Sequence, residues 1–311
     1  MLAIFESLLP VFLLIALGAG LKSARLIEES HWTGVERISY FVFFPSLLVH
    51  TLYNTDFATI PASRAVLAFC IGLVVILSLA LLLRLPFRKL FGIDDPSYSS
   101  VAQGFLRWNA FVGLAIAEKV GSPAMFTVIA LGIAVLAIPI NIASVSVVAR
   151  LGSRSGETGG TLRLVSRNPL VIGTAIGLAL NFSGVTLYAP FAQAIELCSR
   201  VSLPIGLILV GAGLRLIMPR RAMAAAAATC VLKLAMVPLV YASAAYALGL
   251  RGEELISLAI AGSVPTAMNG YLVARDLGGD APLYAAIVTM QTIAAFFTIP
   301  LVVLTATYLA G

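Results

Sequence analysis

The sequence predicts an all-α membrane protein: ten transmembrane helices built as two halves of five, the second half inverted relative to the first. Three observations carry this. Of 311 residues, 60% are apolar and only 11% charged, with a mean hydropathy of +1.03, far from the soluble average. Lysine and arginine alternate between rich and poor connections along the chain. A shift of 159 residues superimposes several prolines and glycines of the first half on those of the second.

A bilayer's hydrocarbon layer takes roughly 20 helical residues to cross. Apolar runs bounded by charges, glycine and proline place the spans at 2–21, 32–53, 63–84, 97–118, 123–149, 168–184, 188–215, 222–248, 254–275 and 281–309, numbered one to ten. Span one carries no basic leader and no small-residue cleavage site, so it is read as a retained helix and not a signal peptide. Pro45 in span two and Pro204 in span seven are expected to kink their helices at equivalent places. The spacings of Gly18 and Gly20 and of Gly206, Gly211 and Gly213 read as close helix packing. Spans four and nine are the least uniform, since Gln103, Arg107 and Asn109 interrupt one and Asn269, Arg275 and Asp276 load the end of the other.

The odd-numbered connections hold 13 Lys and Arg, namely Lys22, Arg25, Arg84, Arg88, Lys89, Arg150, Arg154, Arg163, Arg167, Arg215, Arg220, Arg221 and Arg275. The even ones hold only Arg64, Lys119 and Arg251. The positive-inside rule puts the rich set in the cytoplasm and both termini outside. The Gly- and Ser-rich stretch 151–166 reads as a cytoplasmic linker between a first repeat, 1–150, and a second, 167–311. An odd number of spans per half requires the second to be upside down. The 159-residue shift then pairs Pro10 with Pro169, Gly18 with Gly177, Leu21 with Leu180, Pro45 with Pro204, Leu48 with Leu207 and Pro123 with Pro282.

Several function classes are excluded or disfavoured. The formal charge of +6 is accounted for by orientation charges, and no nucleic-acid motif accompanies it. Cys70, Cys198 and Cys230 form no paired pattern, and His31 and His50 have no cysteine neighbours, so neither a disulfide frame nor a metal site is expected. There is no GxxxxGK[ST] loop for an ATP motor and no cofactor motif. A membrane enzyme would want an acidic metal-binding motif or a His/Cys cluster, and Asp94-Asp95 alone is too little.

Candidate chemistry lies in the irregular spans. Helix-breaking residues in mid-membrane are tolerated where protein shields them or they line a cavity. Arg107-Trp-Asn109-Ala-Phe-Val-Gly113 in span four and Pro265-Thr-Ala-Met-Asn269-Gly270 in span nine occupy corresponding places in the two halves. Half-helix N-termini, each carrying about half a positive charge, would there face a midplane site suited to an anion. Arg107 and Lys233 are deep cations with no comparably deep carboxylate, which leaves two readings for each: a negative charge brought by a substrate, or a structural role, for Lys233 as bonds to backbone carbonyls bared by a broken helix. Asn109, Asn269, Asn141 and Gln291 complete the candidate set, the alternative being helix–helix glue. The substrate-binding candidates are thus Arg107, Asn109, Gly113, Asn141, Lys233, Pro265, Asn269, Gly270 and Gln291.

The motifs Asn109-Ala-Phe-Val-Gly113-Leu, Lys233-x4-Pro238, Pro265-Thr-Ala, Ala274-Arg-Asp-Leu-Gly-Gly279 and Asn168-Pro169-Leu resemble the auxin efflux carrier family, which includes PIN-type carriers and bacterial malonate or malate permeases. Ala115 departs from the pattern, standing where members commonly carry a proline. The resemblance implies a sodium/proton antiporter-like or bile-acid symporter-like fold with crossed, broken helices four and nine. It also implies a scaffold of spans one, two, six and seven and a mobile transport unit of spans three to five and eight to ten. By the same resemblance Asn109 and Asn141 match polar positions around the family's site, and Pro265 to Gly270 its second crossover.

The expected function is a secondary-active or potential-driven carrier of small organic anions, mono- or dicarboxylates, working by an elevator-type movement in a bacterial inner (plasma) membrane. The alternative is a cation/proton antiporter or sodium-coupled symporter on the same fold. Partners are the carried anion and membrane lipid, with a homodimer left open and nucleic acid not expected. No cofactor is expected, and a coupling ion, sodium or proton, is left open.

Overall fold

The computed structural model describes residues 2–55, 57, 62–153, 169–214 and 223–310, and all regular structure among them is helical. Most of the 151–166 linker, with Arg154 and Arg163, lies outside the described residues, as do Arg167, Asn168, Arg215, Arg220 and Arg221.

The first half holds α1 (Leu2–Ser23), α2 (Glu29–Ile38), α3 (Phe44–Tyr53), α4 (Ala62–Leu82), α5 (Arg84–Phe91), α6 (Asp95–Leu106), α7 (Ala110–Val120) and α8 (Pro123–Leu151). The second holds α9 (Pro169–Ser183), α10 (Ala189–Gly213), α11 (Met223–Ala247), α12 (Gly252–Ser263), α13 (Gly270–Leu277) and α14 (Ala281–Ala310). Among the described residues five helices, α4, α8, α10, α11 and α14, are long and apolar enough to cross a membrane. Exposed leucine, valine and phenylalanine on their outer faces, such as Val74, Leu82, Val231 and Phe297, suit a lipid surrounding.

Local chemistry explains where the helices start. Asp94 accepts the N–H of Ser97 at 2.9 Å and so caps α6, with Pro96 in the first turn where no N–H is needed. Ser122 caps α8 ahead of Pro123 in the same way. Helix α5 falls within a connection, and the pattern Arg-Leu-Pro-Phe-Arg-Lys-Leu-Phe makes it amphipathic. Arg84 and Arg88 both reach Asp95, at 2.8 and 3.0 Å, which ties α5 to the start of α6. The hydrogen-bonded Arg84 guanidinium holds the Asp95 carboxyl below its ordinary range.

Span two is irregular: a π-helical turn, Ser39–Phe43, separates α2 from α3 just ahead of Pro45. Pro204 lies inside α10, which stays continuous, so the two prolines do not produce the same local geometry.

Two helix pairs pack at unusually close range. Gly18 of α1 lies against the backbone of Ile208 in α10, and Gly211 of α10 against the backbone of Ile15. In the other pair a Cβ on Gly177 of α9 would stand 3.1 Å from Val49 Cα in α3. Any side chain at these glycines would force the helices apart. Gly20, by contrast, faces open space. A second body of helices, α4, α6, α8, α11, α12 and α14, shares an apolar core that includes Phe69, Tyr98, Leu136, Tyr241, Leu258 and Ile287. Phe44 and Phe111, ring centroids 4.5 Å apart, join α3 to α7.

Candidate functional site

The stretches singled out in spans four and nine are both broken, and the breaks meet. Helix α6 stops at Leu106 and α7 starts at Ala110, with Arg107 and Asn109 in extended backbone between them. Helix α12 stops at Ser263 and α13 starts at Gly270. Pro265 forbids a helical hydrogen bond and pushes Val264 to extended geometry, which ends α12. The N–H of Asn109 donates to the carbonyl of Pro265 at 2.7 Å, while the Asn109 side chain accepts the Val112 N–H at 3.3 Å and caps α7. Ala115 lies beyond this break, in the regular turns of α7, so proline at that position is not needed to interrupt the span. Gly113 lies alongside the second break, since a Cβ there would be 3.7 Å from Val264 Cγ1.

The carbonyl end of α6 is enclosed by the second half. Gly104 allows this approach: a Cβ on it would stand 3.0 Å from Thr229 Cγ2 in α11 and 2.9 Å from Ile287 Cγ2 in α14. One turn further along those helices are Lys233 and Gln291. Lys233 Nζ donates to Phe105 O at 3.3 Å, and Gln291 Nε2 donates to Gly104 O at 3.2 Å. Thr266 Oγ1 donates to Gln103 O at 3.4 Å, and Gln291 Oε1 accepts the Thr266 N–H at 2.8 Å. Lys233, 1% exposed, therefore places its charge at the negative end of the half-helix.

Arg107 occupies the joint itself. It is 3% exposed, its Nη1 donates to Asn269 Oδ1 at 2.9 Å and its Nε to Gln103 Oε1 at 3.2 Å. Its Nη2 is buried with no hydrogen-bond partner among the described residues, and so is Gln103 Nε2. Gly270 opens α13 directly beside it: a side chain there would meet Arg107 Cδ at 2.9 Å and the Tyr284 ring and hydroxyl. The Tyr284 hydroxyl donates to Ala267 O at 2.6 Å and holds the second break in place. No Asp or Glu is among the buried side chains of the described residues, and no carboxylate there pairs with Arg107 or Lys233. An arginine donor left unmatched in a dry site is a strong attractant for a carboxylate.

Eight of the nine sequence candidates thus gather at the crossing: Arg107, Asn109, Gly113, Lys233, Pro265, Asn269, Gly270 and Gln291. Asn141 is not joined to them by a hydrogen bond; its amide donates to Ala137 O of its own helix at 2.8 Å. Sequence reasoning left three participants out. Gln103 was visible as a polar residue one helical turn before Arg107, and Thr266 as a neighbour of Pro265. Tyr284 carried no signal, being one aromatic in an apolar run. Elsewhere, a cavity of about 240 Å³ lined by His50, Tyr53, Gln193 and Glu196 opens between α3 and α10, away from the crossing.

Two broken helices thus meet at a backbone hydrogen bond, with two buried cations beside it. Residues 158–303, just under half of the chain, match the family model described as membrane transport protein. No curated protein matches the chain.

Proposed function

We propose that the protein carries a small organic anion, a mono- or dicarboxylate, across a bacterial inner membrane. The observation that carries this reading is Arg107: a buried guanidinium with one donor unmatched and no carboxylate paired to it among the described residues, and the start of α13 beside it. A fixed positive charge in a water-poor site is costly while unpaired, so a ligand that brings the counter-charge is favoured there. The candidate ligand contacts are Arg107, Asn109, Asn269, Gly270 and Gln103, with Lys233, Gln291, Pro265 and Gly113 shaping the crossing. The cation-antiporter alternative would want an acidic residue at the break. Asp276, the acidic residue of span nine nearest it, is exposed and paired with Arg275 at 3.0 Å.

The architecture that suits this function is an inverted five-plus-five repeat. Its support is a reciprocity of contacts: Gly18 packs on Ile208 and Gly177 packs on Val49, and both Gly18 with Gly177 and Val49 with Ile208 are 159 residues apart. The closely packed α1, α3, α9 and α10 would form the static scaffold. The helices around the crossing would move as a unit, with both chain termini outside. For an anion leaving the cell the membrane potential contributes about 2.3 kcal/mol per charge per 100 mV, so export of a monoanion needs no partner ion.

The test is uptake of labelled malonate, malate or a monocarboxylate into proteoliposomes. Saturable uptake stimulated by counterflow is expected. Uptake no faster than in protein-free vesicles for every small carboxylate would overturn the reading.

A further inference from the structure

A second cavity, of about 500 Å³, lies between α5 and α11, away from the crossing. One wall is formed by Pro86, Phe87 and Leu90 of α5 and the other by Ala228, Val231 and Leu232 of α11. Leu90 is 76% and Val231 66% exposed, so the cavity opens outward as a groove. The remainder of α5 carries Arg84, Arg88 and Lys89, of which Arg88 and Lys89 are exposed. We propose that the groove seats an acyl chain of an anionic phospholipid whose phosphate is held by Arg88 and Lys89. This goes beyond the organic-anion reading and does not rest on it.

Charge, depth and shape support it. Three cations on α5 stand against two carboxylates, and both carboxylates are engaged: Asp95 is shared by Arg84 and Arg88, and Asp94 accepts the Ser97 N–H. Lys89 pairs with no carboxylate among the described residues. The surplus positive charge suits a phosphate. Ala228 and Leu232 lie roughly 8 to 14 Å along α11 from its start at Met223, at 1.5 Å per residue. That depth matches the boundary of headgroups and acyl chains, where short basic amphipathic helices lie. Every residue of the walls is apolar, which suits a hydrocarbon chain and offers a polar metabolite nothing to bond. Phe87, 3% exposed, packs on Tyr98 and Phe105 of α6 with ring centroids 5.9 and 6.1 Å away, so α5 is held back from collapsing into the groove. A second copy of the chain related by a two-fold axis would bring two basic clusters together, which favours a lipid as the occupant.

The test equilibrates the purified full-length protein in detergent with equal amounts of phosphatidylglycerol and phosphatidylcholine of the same acyl chains, then measures the lipid retained per protein by mass spectrometry. The wild type is expected to retain phosphatidylglycerol in several-fold excess. A basic residue near an anionic headgroup is worth a factor of about five, so Arg88→Gln/Lys89→Gln is expected to lose that excess. Leu90→Ser/Val231→Ser, at two exposed wall positions, is expected to retain less of both lipids. Equal retention of the two lipids by the wild type, or retention unchanged in either double variant, overturns the proposal. So does a wild type that runs as two chains and a Leu90→Ser/Val231→Ser variant that runs as one, since a second copy would then fill the groove. Should the charge variant not fold, Lys89→Gln alone decides. A fall of about fivefold in the excess supports the lipid seat, and an unchanged excess refutes it. Carboxylate uptake plays no part in this readout, so failure of the anion reading shows separately.

Discussion

The N–H of Asn109 donates to the carbonyl of Pro265 at 2.7 Å, a backbone bond between the break in span four and the break in span nine. Neither break could satisfy these groups within its own helix. Each half of the chain thus supplies what the other leaves open, and the unmatched Arg107 donor sits at that seam.

Asn109 caps α7 as well as bridging the breaks, so Asn109→Ala removes a cap worth about 1 kcal/mol and loosens the joint. Counterflow per reconstituted protein is expected to fall well below that of Ser183→Ala, whose hydroxyl only reaches Leu180 O at the exposed end of α9. Equal loss in both variants would speak against a site at the crossing.

Gly270→Ala is the smallest change that displaces Arg107, because the added methyl meets Arg107 Cδ and the Tyr284 hydroxyl. Overpacking of this kind costs about 1–3 kcal/mol. Carboxylate affinity is expected to drop several-fold while yield after detergent extraction stays near wild type. Unaltered affinity would show that the start of α13 is not part of the binding surface.

Gly18 and Gly20 lie on the same helix but differ in surroundings, one against Ile208 backbone and the other in open space. Gly18→Val is expected to lower the thermal midpoint sharply. Gly20→Ala should leave it unchanged or raise it, since alanine favours helix by up to about 1 kcal/mol over glycine. The reverse order would remove the close-packed α1–α10 contact from the account.

Much of this was legible in the sequence because the bilayer imposes simple rules. Apolar runs marked the helices, five of which among the described residues are long and apolar enough to cross a membrane, and Arg107, Asn109, Pro265 and Asn269 stood out because mid-membrane polar and helix-breaking residues are costly unless used. Gly18 and Gly177, paired by the 159-residue shift, each pack closely on a neighbouring helix. The two roles open to Lys233 could not be separated by position alone, because the choice depends on how near Phe105 O comes, and that is set by Gly104 against Thr229 and Ile287. The π-helical turn at Ser39–Phe43 left no trace, since its sequence, Ser-Tyr-Phe-Val-Phe, suits an ordinary apolar helix equally well. Tyr284 was hidden for the same reason: only the folded chain puts its hydroxyl on Ala267 O.

The most direct test of the central claim is a calorimetric titration of a small carboxylate, such as malonate, into wild type, Arg107→Lys and Arg107→Gln. A hydrogen bond between charged groups contributes about 1.5–3 kcal/mol, or more than tenfold in affinity. The account predicts that Arg107→Gln weakens binding by at least about tenfold while Arg107→Lys keeps part of it. Binding of equal strength in all three proteins would contradict an anion held by Arg107 at the crossing.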